Sequence, residues 1–202
     1  MKRAIMKRAI LITLIITSSI HLFAQKSRFV ISYPIAFPVD HLSSYINKTS
    51  FRGISMEYNW LQARNLEIGF EAGWNVFYKK EEEKTYNEKT VSITGIQYRY
   101  ANITPLLAGA KIYHSTGNPN LTAFYGLGLG TMYIEQLADF GLYAISKKTW
   151  QFCLRPEGGI KYKATESVSG FVGLKYYGGF GNSELEGQQY ATVNIGLIFM
   201  SF

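Results

Sequence analysis

Charged residues recur at alternate positions in several segments whose intervening positions are mostly apolar. Side chains two residues apart in an extended strand point to the same side, so these charges share one face. Acids and bases on one face can form ion pairs, and this is the chemistry that the pattern favours most. The charged residues of that face are Glu57, Glu67, Glu71, Arg99, Lys111, Arg155, Glu157, Lys161 and Lys175.

The expected pairing follows from the order of the segments. Glu57 and Glu71 lie on adjacent segments and would repel each other if both were ionised without a partner. Arg99, on the segment that neighbours Glu71, is the expected counter-charge, and we expect these three near the middle of their strands. Arg155, Glu157 and Lys175 are also expected at mid-height, and Glu67, Lys111 and Lys161 nearer one end.

A second candidate chemistry is nucleophilic catalysis, which commonly needs a histidine beside a serine or a carboxylate. The chain has three histidines, His21, His41 and His114. Only His41 has both partners close in sequence, Asp40 and Ser43 in "VDHLSS". A catalytic triad is defined by geometry and not by sequence neighbours, so we expect a solvated loop here and no enzyme.

Nucleotide, disulfide and zinc chemistry have little support. Gly126, Gly128 and Gly130 in "YGLGLG" superficially resemble a phosphate loop, but no helix follows them as that motif requires. They fall on one parity, so we expect them to relieve crowding inside the fold or to permit curvature. Cys153 is the sole cysteine and cannot form an internal disulfide or a cysteine-based zinc site. No cofactor and no metal are expected.

The elements that position these residues are strands. Apolar and polar residues alternate with period two, most clearly over Leu66–Tyr78, and we find no convincing helix after Gln25. Pro105 interrupts the longest segment and is expected at a bulge or near a strand end. The eight expected strands are Phe29–Phe37, Phe51–Leu61, Leu66–Tyr78, Val91–Tyr113, Leu121–Ile134, Trp150–Tyr162, Val168–Gly178 and Tyr190–Phe202.

The first 24 residues have the pattern of a secretory signal peptide: four cations, an apolar run and cleavage after Ala24. The doubled "MKRAI" leaves Met1 and Met6 as alternative starts. The expected mature domain is 25–202, with 17 basic and 14 acidic residues once the four leader cations are removed from the total of 21. This weak excess, with no basic helix, gives no support to a nucleic-acid partner.

The length of the strands separates a membrane barrel from a soluble sandwich. The expected strands have about 10–13 residues, which matches the ~9–11 needed to cross a bilayer at a tilt and exceeds the soluble mode of ~5–6. Tyr and Trp gather near the segment ends, as in interfacial girdles. The apolar face should therefore meet lipid and the charged face should line a lumen, in a sheet that must close.

The connections alternate between short and long, as in transmembrane barrels with short periplasmic turns and longer outer loops. The expected long loops are 38–50, 79–90, 136–149 and 179–189. The second contains "KKEEEKTYNEK", which is typical of a solvated loop.

The final strand "VNIGLIFMSF" resembles the C-terminal assembly signal of outer-membrane barrels, through Asn194, Gly196, Phe199 and, one place beyond the expected spacing, Phe202. With the leader and the eight strands, the chain resembles the small barrels of the OmpA/OmpX type. The order "NITPLLAGAKIY" then "TAFYGLGLGTMY" resembles the outer-membrane β-barrel proteins of Bacteroidetes. The resemblance implies an all-β, eight-stranded, antiparallel up-and-down transmembrane barrel in the outer membrane of a Gram-negative bacterium. It also implies outer-membrane lipids, lipopolysaccharide and the barrel-assembly machinery as partners.

Eight strands leave room for side chains or one small ligand and not for an open aqueous channel. The leading hypothesis is therefore an ion-paired, closed barrel that serves envelope structure or surface interaction through its outer loops. The alternatives are a narrow channel for small or apolar solutes, as in the OmpW type, and a lipid-modifying enzyme that uses His41. A role in secretion or gliding machinery, with unknown partners, is also compatible with the sequence.

Overall fold

Eight long antiparallel strands close into a barrel, in the order β1-β10-β9-β8-β7-β6-β3-β2. The computed structural model describes residues 26–88, 91–141 and 143–201. The leader, Ala24 and Phe202 lie outside the described residues. The barrel strands are β1 Ser27–Val39, β2 Gly53–Ala63, β3 Leu66–Lys80, β6 Tyr98–Ser115, β7 Leu121–Asp139, β8 Ala144–Lys163, β9 Val168–Gly179 and β10 Gln189–Ser201.

The barrel closes between its first and last strands. β1 pairs with β10 along its whole length, from Ser27 opposite Ser201 to Val39 opposite Gln189. Closure matters because a sheet in hydrocarbon has no water to satisfy an unpaired edge. The predicted fold class is confirmed.

The two faces of the sheet separate by polarity in the predicted sense. Trp74 is 52% exposed and Leu154 37%, whereas Glu71 and Arg155, on the opposite face, are 4% and 2% exposed. A soluble sandwich would bury the apolar set and expose the charges. The observed arrangement has an apolar exterior and a charged interior, as a transmembrane barrel requires.

The two ends of the barrel differ. The first residue of β1 and the last residue of β10 lie at the turn end, together with the short connections 64–65, 116–120 and 164–167. At the loop end lie the connections 40–52, 81–97, 140–143 and 180–188. The expected loop 136–149 is wrong, because β7 and β8 continue as a paired hairpin until Asp139 opposite Ala144. Residues 140–143 connect the two strands, so most of the expected loop is paired strand.

Two features of the loop end differ from the sequence predictions. The expected strand Val91–Tyr113 is broken at residues 96–97, and its first part, β5 (Val91–Gly95), pairs instead with β4 (Lys84–Glu88) in a separate hairpin. The prediction of no helix is also wrong, since α1 (Asp40–Tyr45) follows β1. A helix this short depends on tertiary burial rather than on propensity, and its Leu42 is fully buried. No helix within the described residues is long and apolar enough to span a membrane.

Pro105 lies inside β6 and not at a bulge or a strand end, so that prediction is wrong. The register between β3 and β6 is the same on both sides of Pro105. The proline ring is accommodated because Gly73, which faces it, has no side chain. A Cβ added at Gly73 would lie 3.1 Å from the proline ring. The missing N–H therefore costs one hydrogen bond without shifting the strand.

Candidate functional site

Six charged side chains form a closed ring of ion pairs at the middle of the lumen. Three acids and three bases alternate around it, so each charge touches two charges of opposite sign and the ring is neutral. The order is Glu57, Lys111, Glu157, Arg155, Glu71, Lys175 and back to Glu57.

The geometry of the ring is tight. Lys175 Nζ lies 2.7 Å from Glu57 Oε1 and 3.2 Å from Glu71 Oε1. Arg155 Nε lies 3.0 Å from Glu71 Oε2, and Lys111 Nζ lies 3.2 Å from Glu157 Oε2. Lys111 also contacts Glu57, and Arg155 contacts Glu157. All six residues are buried, and the opposite charges of the ring are their nearest ion-pair partners.

Five strands supply the ring, and a sixth makes room for it. Glu57 comes from β2, Glu71 from β3, Lys111 from β6, Arg155 and Glu157 from β8, and Lys175 from β9. β7 contributes glycines in place of side chains. A Cβ added at Gly128 would lie 2.8 Å from Arg155 Nη2, and one added at Gly126 would lie 3.0 Å from Glu157 Oε1. The alternating glycines therefore relieve crowding in the lumen, as expected.

Apolar layers cover the ring on both sides. On the turn side, Val30, Phe124, Phe171 and Ile198 pack together with Tyr113. On the loop side is a larger layer, in which Tyr177 stacks on Tyr190 with ring centroids 4.5 Å apart. We call this larger set the loop-end layer; it comprises Ala36, Leu42, Ile46, Phe77, Ala101, Ile103, Leu107, Met132, Ile134, Cys153, Tyr177 and Tyr190.

The loop-end layer is closed by α1, which the sequence analysis missed. Leu42 of the helix and Ile46 directly after it are fully buried against strand residues. Tyr45 lies beneath Arg99, whose guanidinium is 5.3 Å from the ring centroid, and burial raises the pKa of Tyr45 to about 12. The signal that could have revealed this cap is the apolar spacing of Leu42, Tyr45 and Ile46.

Arg99 does not lie at the middle of the lumen, and its expected role as counter-charge to Glu57 and Glu71 is wrong. It stands opposite Lys79 near the loop end and contacts the Gln97 side chain, the Tyr45 carbonyl and Glu81. Lys111, expected nearer the turn end, holds the ring position instead. Because strands in a barrel are tilted and staggered, height cannot be counted from the turns alone.

Glu67 and Lys161 lie outside the ring, on the turn side. Glu67 pairs with Arg28 and accepts a hydrogen bond of 2.9 Å from the Tyr113 hydroxyl. Lys161 Nζ lies 4.6 Å from the centroid of the Tyr113 ring. Arg28 was missed because the expected first strand began at Phe29, whereas β1 begins at Ser27.

The residues around His41 do not form a catalytic arrangement. Ser43 donates its hydroxyl hydrogen bond to the Asp40 carbonyl, at 2.7 Å, and not to His41. His41 Nδ1 lies 2.7 Å from Glu186 Oε2, which links α1 to the connection before β10. Within the described residues, no group of histidine, cysteine and carboxylate side chains could hold a metal ion.

Three residues of the expected assembly signal, Asn194, Gly196 and Phe199, lie on the closing strand β10. Asn194 is fully buried and donates to Thr192 at 2.7 Å, whereas Phe199 is exposed on the lipid side. Gly196 leaves no room for a side chain, because a Cβ there would lie 2.7 Å from the Phe171 ring. Their recognition by an assembly machinery stays a prediction, as does cleavage at Ala24.

Comparisons with known proteins show the fold. No family model and no curated protein matches the chain. Among solved structures, the attachment invasion locus protein Ail of Yersinia pestis, in complex with the heparin analogue sucrose octasulfate, is similar with a TM-score of 0.55 and 13% identity, over 88% of this chain and 99% of that one. Neisserial surface protein A is similar with a TM-score of 0.54 and 14% identity, over 86% and 95%. The chain thus has the fold of the small outer-membrane barrels, and the Bacteroidetes type stays a prediction.

Proposed function

We propose that the chain is a closed, non-conducting barrel of the outer membrane of a Gram-negative bacterium, which presents its loop end as an interaction surface. The observation that carries this proposal is the filled lumen. A neutral ring of six charges crosses the barrel, and an apolar layer lies on each side of it. An ion that crossed would have to break ion pairs that no water replaces.

The loop end supports the second half of the proposal. The β7–β8 hairpin extends past the end of β9, because β9 pairs with β8 only as far as Cys153 opposite Gly179, whereas β8 pairs with β7 as far as Ala144. From Ala144 to Thr149, β8 has a strand neighbour on one side only within the described chain. Exposed strand edges can pair with other chains. The hairpin also exposes Tyr143 near its tip, which suits a contact surface.

The similar structures are consistent with a role at the cell surface. Ail is described as an attachment invasion locus protein and was seen with a heparin analogue, and the Neisserial protein is described as a surface protein. The loop end of this chain carries exposed cations on the same hairpin, Lys147 and Lys148. We propose surface interaction as the role of this end of the barrel.

Planar-bilayer recording tests the closed lumen. The refolded protein should insert without stable unitary conductance. A matched variant, Arg155→Ala with Glu157→Ala, removes one base and one acid from the ring and keeps it neutral. Reproducible unitary currents from the wild type would overturn the closed barrel and favour the narrow channel.

Labelling of intact cells tests the location and orientation. An epitope inserted at residues 140–143, between β7 and β8, should be labelled on intact cells. The same epitope at 116–119, in a turn at the opposite end, should be labelled only after the outer membrane is permeabilised. Labelling of the second site alone on intact cells would reverse the orientation. If the protein fractionates with the inner membrane and neither site is labelled, even after cell disruption, the proposed location is rejected.

A further inference from the structure

The lipid-facing surface of β2, β3 and β6 contains a groove of about 450 Å³. It arises because large and small side chains alternate across the strands: Phe70 stands opposite Ala108, and Leu106 stands opposite Ala72. Met56 lies beside Ala72 on the other side. A hollow at this depth is not filled by water, so lipid chains or another apolar surface must occupy it.

Cations and aromatic rings lie at the loop ends of the same three strands. Arg52 lies over the Tyr78 ring at 5.4 Å, and Lys80 lies over the Tyr98 ring at 5.8 Å. Tyr78 and Tyr98 are stacked, with centroids 6.5 Å apart, so the four residues form one continuous array. Both cations are exposed on the outer side of the barrel. Tyrosine at this height is typical of the membrane interface, where lipid headgroups lie.

A second hollow lies beside the array. It has a volume of about 270 Å³, and its lining includes Lys48, Arg52 and Tyr78. Arg52 precedes Met56 by four residues, which is ~13 Å along an extended chain. The groove and the cationic hollow therefore follow one another along β2, from the hydrocarbon zone to the interface.

Another groove in the described part of the barrel lacks this combination. A hollow of about 360 Å³ is lined by residues that include Phe37, Leu174 and Ala191. On its lining Tyr176 hydrogen-bonds to the Gln189 side chain, in place of a cation–aromatic array. An apolar groove alone is thus not unusual on this barrel, and the cations distinguish the β2–β3–β6 face.

We propose that this face binds one phosphorylated lipid of the outer leaflet. The acyl chain lies in the groove over Ala72 and Ala108, and the phosphate is bound by Arg52 and Lys80, with Lys48 at the edge. Basic side chains near a membrane surface attract anionic headgroups. The inference rests on the proposed function, which places the loop end at the outer leaflet.

Native mass spectrometry of the folded protein in detergent tests this site, with diphosphorylated lipid A as the probe and phosphatidylethanolamine as the comparison lipid. The wild type should retain one lipid A and prefer it. Arg52→Gln with Lys80→Gln should weaken retention about tenfold or more, since two charges are removed. The matched control, Arg64→Gln with Lys163→Gln, removes two exposed cations at the turn end and should leave retention unchanged.

A second pair of variants tests the groove. Ala72→Trp should fill it and abolish retention, whereas Ala191→Trp, in the other groove, should not. Equal retention by the Arg52/Lys80 variant and the wild type would overturn the site, as would a wild-type dimer that excludes lipid and is disrupted by Ala72→Trp. Heat-modifiable gel mobility checks that every variant is folded. If the Arg52/Lys80 variant retains lipid A as the wild type does, while the epitope at 140–143 is labelled on intact cells, the lipid inference is rejected and the proposed function stands.

Discussion

Two sets of ion pairs in this molecule have the same chemistry and opposite surroundings. The ring at the middle of the lumen joins six buried charges, whereas Glu135 and Lys148 pair at 2.8 Å on the exposed β7–β8 hairpin. Water can replace either partner on the hairpin but not in the lumen. The difference shows that burial, more than distance, decides what an ion pair contributes to stability.

Removal of one acid from the ring should have the greatest effect. Glu57→Gln leaves Lys111 and Lys175 without their shared carboxylate and gives the buried ring a net charge of +1. An uncompensated buried charge costs about 3–5 kcal/mol. We expect a loss of that size in the free energy of unfolding, measured by urea titration in detergent. A loss no greater than that of Glu135→Gln would show that burial makes no difference.

A neutral double variant tests whether the ring acts as a unit. Glu57→Gln with Lys175→Gln removes one charge of each sign and leaves a neutral chain of four. Its loss of stability should be smaller than the sum of the two single losses, with a coupling of about 1–3 kcal/mol. Simple additivity in the double-mutant cycle would mean that the pairs are independent.

The loop-end layer protects the ring from water, and its packing should matter nearly as much. Ile103→Ala removes a fully buried side chain from that layer and should cost about 2–4 kcal/mol through lost burial and a cavity. Ile68→Ala, an exposed position on the lipid side, is the control and should cost less. The same urea titration compares them, and equal losses would contradict a packed lumen.

A smaller effect is expected where a glycine makes room for the ring. Gly128→Ala places a Cβ 2.8 Å from Arg155 Nη2 and should cost about 1–3 kcal/mol as the guanidinium shifts. Gly170→Ala is the matched control, because an added Cβ there meets nothing within 4 Å. If the two variants unfold at the same urea concentration, the glycines of β7 have no spatial role.

The smallest effect should come from the hairpin pair. The hydrogen bond from Lys148 lowers the pKa of Glu135 below its ordinary value. A depressed folded-state pKa means that the pair stabilises the protein above the unfolded pKa and loses that contribution as the pH falls through the folded one. Lys148→Gln should return the Glu135 titration, followed by carboxyl NMR shifts, toward its ordinary midpoint, without a measurable change in unfolding. A marked loss of stability in this variant would contradict the assignment of the hairpin pair as weak.

Prediction from sequence succeeded where the signal is local. Residues such as Trp74 and Glu71 were assigned to opposite faces because side chains alternate strictly along a strand, and a shift by one residue would exchange the whole set. It failed at α1 and at the break after Gly95. A six-residue helix has little periodicity, and its stability comes from Leu42 and Ile46 packing into the barrel mouth.

The alternation of faces and the eight barrel strands were therefore properties of the chain itself, because alternation is set by neighbours within a few residues, whereas the outer ends of β7 and β8 were not recognised. The closure of the ring was decided only in three dimensions. Arg99 and Lys111 lie on one strand with the same parity, and nothing local indicates which of them meets Glu57. The tilt and stagger of eight strands bring Lys111 to Glu57 and carry Arg99 to Tyr45 and the loop end.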